Sequence, residues 1–496
     1  MSSVRLRYPA ILNYLASLYR VLAAIAFAII VIRKLGVYQF GIWTVAFSLA
    51  NFLSLPVTMW GYWESRFVAR GFREAVPTGL GLTLAYLTIA SALYVAISWL
   101  LSAGIGGFSY LALYGTLLMA LQALGYWASS AATVIAPEVG GYAALIFHTA
   151  RICLAYALVA YAGMGLDGAF IAVITSRALS NAYTTLVVFR RGIPLARGFS
   201  RSLASSWLRR LYIPLISAVD AQIRSLDRAL AAAITGSAEV AAVMGAAYTA
   251  QTPIGSAGGS TAIALRARLL RAPRASDVEE SLRLTLLLSG FTLATLVTLS
   301  KPVLTLLNPV YESAWLPFVV TSVSTFVLSI ASIYAVSSVA SERSDVDTNA
   351  SLVSTRLFRT PFATLCCDSI ALAAATSIVA ALRVVNAVSV ATVYALAWLA
   401  SSLAILVIAR RHAMEAVKAS FPARQALEVA IASIAVVATY LALGANEIVV
   451  ASFWRDAPRL AMCVAIAGAI YVATLLAVSS WFRNLLRVAI ERIVRG

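Results

Sequence analysis

The sequence predicts an all-α protein that crosses a membrane about fourteen times. Hydrophobic residues make up 61% of its 496 residues, the mean hydropathy is +0.88, and only 12% of the residues are charged. A soluble domain carries about 25% charged residues. Apolar runs repeatedly reach the ~20 residues that a helix needs to cross a bilayer. These observations exclude a soluble fold, and the connections are too short to form a separate soluble domain.

The apolar runs place each span in order. They predict spans at 10–32, 41–63, 76–100, 110–134, 142–163, 168–189, 212–234, 240–265, 280–300, 314–338, 361–382, 388–409, 425–444 and 459–480. The first run is too long for a signal peptide, whose apolar part has about 7–15 residues, so we expect an uncleaved first span. Pro56, Pro253 and Gly255 interrupt spans two and eight at corresponding positions, either as bending elements or as ordinary packing kinks.

Basic residues indicate the orientation. The net charge is +18, and the basic residues lie between apolar runs, so we expect no nucleic-acid partner. With the N-terminus in the cytoplasm, 26 Lys and Arg residues fall in cytoplasmic segments and 6 in external ones. The positive-inside rule therefore predicts a multi-pass protein of the plasma membrane with both termini cytoplasmic.

The longest basic connection, 190–211, lies near the middle of the chain. Leu203, Trp207, Leu208 and Leu211 fall on one helical face, with arginines elsewhere. This pattern is typical of an amphipathic helix in the cytoplasmic interface. The connection separates a first group of spans, 1–189, from a second, 212–410, and two further spans with a basic tail occupy 411–496. The linker helix would either anchor on anionic headgroups or have a regulatory role.

Charged residues inside the apolar runs are the strongest functional signal. They are Arg20, His148, Arg151, Arg177, Asp220, Arg224, Asp227 and Arg228. An arginine near the bilayer centre costs at least ~2.5 kcal/mol, so such residues usually face a protein interior or a wet cavity. Three of these arginines have no acidic partner in their own span. A positive interior in a polytopic protein predicts an anionic cargo.

Helical spacing groups several of these residues into polar stripes. Asn13, Ser17 and Arg20 share one face of the first span, and Arg177, Asn181 and Thr184 share one face of the sixth. His148 and Arg151 form a shorter stripe on the fifth span. Such stripes must point away from lipid.

Each stripe allows two interpretations. Arg20, Arg151 and Arg177 are either phosphate contacts in a cavity or structural arginines bonded within the protein. The former is favoured because guanidinium donates bidentately and stays charged. Asn13 and Asn181 would join them as substrate contacts.

The charges of the seventh span are spaced for pairing with one another. Asp220, Arg224, Asp227 and Arg228 would form a structural ion-pair network, or Arg224 and Arg228 would contact substrate. Coupling to Na+ or H+ would involve Asp220, Asp227, His148 or Asp368. For His148, hydrogen-bonded packing is the alternative to a proton relay.

Other chemistry finds little support in the sequence. Cys153, Cys366, Cys367 and Cys463 lack CxxC spacing or a suitable histidine, so we interpret them as packing residues. We expect no metal and no cofactor. The enzymatic alternative, a membrane glycosyltransferase or polymerase, lacks acidic residues on a sizeable loop. Asp345 and Asp347 are the nearest approach.

Several segments resemble a known family. The stretches IRKLGVYQFGIW (32–43), GYWESRFVAR (61–70), SLDRALAAAITGSAEVAAVMGAAYTA (225–250) and LTLLNPVYESAWLPFVV (304–320) resemble segments of polysaccharide-biosynthesis flippases. These are the Wzx-like branch of the multidrug/oligosaccharidyl-lipid/polysaccharide exporter superfamily. Asn308 and Pro309 depart from the family's pattern, which often has Gly there.

The resemblance implies a fold and a cargo. The fold would be two six-helix lobes around a central cavity with two extra C-terminal spans, operating by alternating access. The cargo would be a polyprenyl-(di)phosphate-linked saccharide, the other partners membrane lipids, and the functional unit a monomer. A multidrug exporter of the same superfamily is the transport alternative, although embedded acids would suit cationic drugs better than arginines do.

Overall fold

The chain is a polytopic bundle of α-helices. The computed structural model describes residues 7–35, 37–105, 107–191, 198–235, 237–307, 309–344, 351–450 and 453–495, and these contain no β-strand. The helices of the first half are α1 (Arg7–Lys34), α2 (Val37–Ser54), α3 (Val57–Ala69), α4 (Ala75–Ile105), α5 (Thr116–Ile135), α6 (Val139–Ala155), α7 (Gly165–Arg190) and α8 (Arg201–Arg209). Short π-helical segments, Tyr110–Gly115 and Tyr156–Tyr161, precede α5 and follow α6.

The second half also consists of α-helices joined by short connections. Its helices are α9 (Tyr212–Thr235), α10 (Ala238–Ala250), α11 (Thr252–Leu269), α12 (Ala275–Thr298), α13 (Ser300–Leu307), α14 (Trp315–Ala340), α15 (Arg356–Ala381), α16 (Ala387–Val417), α17 (Ala423–Ala442), α18 (Phe453–Val478) and α19 (Ser480–Arg495). Asn308, Asp345 and Asp347 lie outside the described residues.

Ten helices of the described chain are long enough and apolar enough to cross a membrane. They are α4 to α7, α12 and α14 to α18, with α5, α6 and α14 counted together with their adjoining short helical segments. The four other predicted spans coincide with α1, with α2 and α3, with α9, and with α10 and α11. The fold class is therefore confirmed, and the count of fourteen crossings stays a prediction.

Both predicted interruptions are breaks between helices. The second span divides at Pro56, because α2 ends at Ser54 and α3 begins at Val57. The eighth divides at Gln251, two residues before Pro253. Pro253 then lies in the first turn of α11, where a missing N–H costs no hydrogen bond. Gly255 lies inside α11 and does not interrupt it.

The amphipathic helix of the basic connection is shorter than predicted. Its described part, α8, begins after Ser200, whose hydroxyl accepts from the Leu203 N–H, and residues 192–197 lie outside the described chain. Leu203 and Trp207 are buried, and the Trp207 ring lies 5.8 Å from that of Phe67 on α3. Leu208 is 47% exposed. Much of the apolar face thus packs on protein, which reduces what α8 can offer to lipid.

The helices form two compact units. The first contains 1–215 with the short segments 266–272 and 343–350, and the second contains 216–265, 273–342 and 351–496. The first has an aromatic core in which Trp43 packs on Phe47 and Phe170, and Tyr114 stacks on Phe170. The second has a core around Phe318, Tyr394 and Trp398.

Gly258 and Gly259 provide a matched test of helix packing in the second unit. A Cβ on Gly258 would lie 2.7 Å from Cβ and 2.9 Å from Cα of Ser329 on α14, whereas one on Gly259 would meet nothing within 4 Å. We expect Gly258→Ala to destabilise the protein by about 1–3 kcal/mol through overpacking. Gly259→Ala should be neutral or stabilising because alanine favours helix by about 1 kcal/mol. Thermal unfolding of both variants in detergent measures this, and equal melting temperatures would contradict the close approach.

Candidate functional site

A cavity of about 380 Å³ lies within the first unit among α1, α2, α5, α6 and α7. Arg20 and Arg177 supply its cationic side chains, and His148 adds an imidazole. Its neutral polar side chains are Asn51, Gln122, Ser129, Thr133, Ser180, Asn181 and Thr184. No carboxylate is among the described residues that line it. The cavity is thus basic, with a hydrogen-bonding wall of amides and hydroxyls.

Two arginines lie over one aromatic ring beside this cavity. The guanidinium carbon of Arg177 is 4.2 Å from the centroid of the Phe147 ring, and that of Arg151 is 5.2 Å from it. Arg151 also lies 4.4 Å from the Phe27 ring. A desolvated cation–π contact is worth about 2 kcal/mol. Aromatic rings contact both guanidinium groups, and no described acidic residue pairs with either.

Several polar atoms of this cluster have no hydrogen bond. Among the described residues, no partner is found for the buried Nε of Arg177, Nε and Nη2 of Arg151, or Nδ1 of His148. Leaving such groups unsatisfied costs about 1–3 kcal/mol each, and more when they are charged. An oxyanion in the cavity could accept from the Arg177 donor.

The other predicted contacts of the first unit have different environments. Asn13 is buried outside the cavity lining, and its Nδ2 donates to Pro137 O at 3.0 Å. Asn181 lines the cavity, and its Nδ2 donates to Leu121 O at 2.7 Å. Arg151 is not among the lining residues. The structure therefore brings Arg20, His148, Arg177 and Asn181 together, whereas Asn13 fastens α1 to the α5–α6 turn.

In the second unit, Asp227 is enclosed by donors. It has no exposed surface, and its Oδ2 accepts from the Tyr248 hydroxyl at 2.6 Å and from Trp398 Nε1 at 2.9 Å. Its Oδ1 accepts from the Arg228 backbone N–H at 2.7 Å, while the Arg228 side chain is 3.9 Å away and 45% exposed. This carboxylate ties together α9, α10 and α16. Its saturated environment is that of a structural anchor.

Asp220, Arg224 and Asp368 form a second cluster. Arg224 Nε lies 2.5 Å from Asp368 Oδ2, and the Ser401 hydroxyl donates to Asp368 Oδ1 at 2.5 Å. Asp220 interacts with both Asp368 and Arg224. The partner of Arg224 is therefore on α15, whereas helical spacing pointed to its own helix. Two carboxyl groups and one guanidinium make up this cluster, and the excess negative charge could be neutralised by a proton or a small cation.

Sequence reasoning missed the aromatic and amide residues of these sites. Phe147 precedes Arg151 by four residues, so helical spacing alone could have paired them. Gln122 accepts from Ser54 Oγ at 3.2 Å and lines the cavity. It shares one face of α5 with Ser129 and Thr133, so helical spacing could have revealed this polar stripe. Trp398 and Ser401 are far along the chain from the residues they contact, and no local signal marks them.

Comparison with known proteins identifies the fold. No protein-family model matches the sequence, and no curated protein matches it. Among solved structures, a MATE transporter point mutant aligns with a TM-score of 0.61 at 15% identity, over 82% of this chain and 95% of its own. A MOP superfamily transporter from Pyrococcus furiosus aligns at 0.62 and 14% identity, over 82% and 95%.

A third comparison gives the same result. A point mutant of the Vibrio cholerae MATE transporter VcmN aligns with a TM-score of 0.62 at 13% identity, over 82% of this chain and 96% of that one. The chain therefore has the fold of MATE transporters of the MOP superfamily. The Pyrococcus furiosus protein is described as having a binding pocket of reverse polarity that suggests a different function.

Proposed function

We propose that this protein is a membrane flippase for an anionic lipid-linked saccharide. It would move a polyprenyl-(di)phosphate-linked saccharide from the cytoplasmic to the outer leaflet by alternating access. One observation carries the proposal: Arg20, His148 and Arg177 line a cavity in which no described side chain is acidic. In a fold shared with transporters, a basic cavity matches an anionic cargo.

The chemistry of the cargo follows from the cost of moving a phosphate. A charged headgroup loses its hydration in hydrocarbon, at a cost far above thermal energy. Guanidinium groups replace that hydration with bidentate, charge-assisted hydrogen bonds and remain charged when buried. The amide and hydroxyl wall of Gln122, Ser180, Asn181 and Thr184 would accept and donate hydrogen bonds to sugar hydroxyls.

We assign the coupling of transport to a proton or Na+ to residues of the second unit. Asp220 interacts electrostatically with the Arg224–Asp368 ion pair, so a proton or Na+ binding there would change the balance of charge in this cluster. Asp227 is less suited to that role because three donors already satisfy it. We therefore assign the coupling role to the pair of carboxyls.

The cellular setting is part of the same proposal. The protein would act as a monomer in the plasma membrane, with both termini cytoplasmic and membrane lipids around it. Multidrug export is the second candidate, because related MATE proteins include a multidrug resistance transporter. The charge of the cavity disfavours it, since Arg20 and Arg177 would repel the cationic compounds that drug exporters typically carry.

Transport in proteoliposomes tests the proposal. The lipid substrate carries a fluorophore on its sugar, and an impermeant quencher reports which leaflet holds it, with a Na+ or pH gradient imposed in parallel. We expect protein-dependent equilibration of the saccharide lipid and no accumulation of ethidium. Val449 follows α17 and is half exposed. A cysteine placed there and labelled from outside the vesicles reports the orientation of the protein. Ethidium transport without saccharide movement would establish the multidrug alternative instead.

A further inference from the structure

Phe147 on α6 contacts two cations at once. Its ring is 7% exposed and lies 4.2 Å from the guanidinium carbon of Arg177 and 5.2 Å from that of Arg151. Arg177 comes from α7, whereas Arg151 follows Phe147 by four residues on the same helix and so projects from the same face. Neither arginine has an ion pair among the described residues. The ring is the feature that the two charges share.

Like charges this close repel each other, and the repulsion grows where water is excluded. The negative face of an aromatic ring attracts a cation and offsets part of that repulsion. A carboxylate would do so as well, but it would accept the N–H groups of the guanidinium. A ring contacts the flat face of guanidinium and leaves the N–H donors at the edge unused. Here Arg177 Nε and Arg151 Nε and Nη2 are buried without hydrogen bonds among the described residues.

We infer that Phe147 is a positioning residue of the anion site. It holds Arg151 and Arg177 near each other in charged form and keeps the donors of Arg177, which lines the cavity, available to a phosphate. This inference rests on the proposed function, and it adds that affinity for the anion depends on an aromatic ring at position 147. The chemistry concerned is that of phosphate and diphosphate groups, independent of the attached sugar.

Binding of pyrophosphate to the purified full-length protein tests the inference by calorimetry. We expect Phe147→Leu, which removes the ring but keeps much of its volume, to weaken pyrophosphate binding about tenfold. Phe147→Met should weaken binding to the same extent, and it replaces the leucine variant in this test if that variant does not fold. Phe147→Tyr keeps the ring and should bind within about twofold of the unaltered protein. A purely structural role would lower the melting temperature without this dependence on the ring.

Two controls separate the inference from the proposal beneath it. Phe291→Leu, which removes a ring packed 5.2 Å from Tyr471 in the second unit, should leave pyrophosphate affinity unchanged. Arg177→Ala should abolish binding. Wild-type affinity in the folded Leu and Met variants, or a Tyr variant as weak as they are, would overturn the role of Phe147 alone. Undiminished binding by Arg177→Ala would instead overturn the proposed anion site.

Discussion

Replacing Arg177 with alanine is expected to reduce saccharide-lipid translocation to background, whereas lysine should retain part of it. Alanine removes the charge and the donors that face the cavity. Lysine keeps the charge but loses the planar pair of donors that fits a phosphate. Charge-assisted hydrogen bonds are worth about 1.5–3 kcal/mol, so loss of Arg177 should slow transport by about 10- to 100-fold or more. Arg20 and Arg151 should follow the same order of arginine, lysine and alanine.

The measurement is the initial rate of translocation in proteoliposomes containing equal amounts of folded protein. Arg190→Ala is the matched control, because Arg190 ends the same helix and is exposed. It should transport at the unaltered rate. Full transport by folded alanine variants at Arg20 and Arg177, which line the cavity, would show that phosphate does not pass through it.

Replacing Asp227 with alanine is expected to be the most destabilising single change in the second unit. The change leaves the buried donors of Tyr248 and Trp398 without an acceptor and removes the carboxylate next to Arg228. Leaving a buried donor without an acceptor costs about 1–3 kcal/mol for each group. Asp227→Asn keeps an acceptor oxygen and should cost less. The variants are ranked by the fraction of monodisperse protein that remains after heating, which size-exclusion chromatography measures.

Asp220→Ala is the comparison for this prediction. Asp220 lies on the same helix and is not itself a member of the Arg224–Asp368 ion pair, so its removal leaves that pair intact. We expect a smaller loss of stability than for Asp227→Ala. Equal losses for the two alanine variants would mean that Asp227 is not the anchor of α9, α10 and α16.

The fold was predictable in its main features because membrane insertion depends on local properties. Hydropathy and run length belong to each segment by itself, and lipid forces each segment to satisfy its backbone within a helix. The break at Pro56 was equally local, since proline cannot continue the hydrogen bonds of a helix interior. In α9, Asp220, Arg224, Asp227 and Arg228 lower the hydropathy of the span.

The sequence by itself determined that this protein is a helical membrane protein with cations inside its spans. It also indicated that Arg20, Arg177 and Asn181 lie on faces turned from lipid, because charge is costly there. Only the tertiary structure decided what each polar group contacts. It placed Asp368 against Arg224, Trp398 against Asp227 and Pro137 against Asn13.

The physical reason is the range of the interactions. A hydrophobic run acts through its own residues, whereas an ion pair or a cation–π contact depends on which helices become neighbours. Arg151 and Arg177 stand alone in the sequence as unpaired charges, and the fold supplies the ring of Phe147 between α6 and α7. Packing thereby decided which of the embedded charges face the cavity, which are stacked on aromatic rings and which are neutralised.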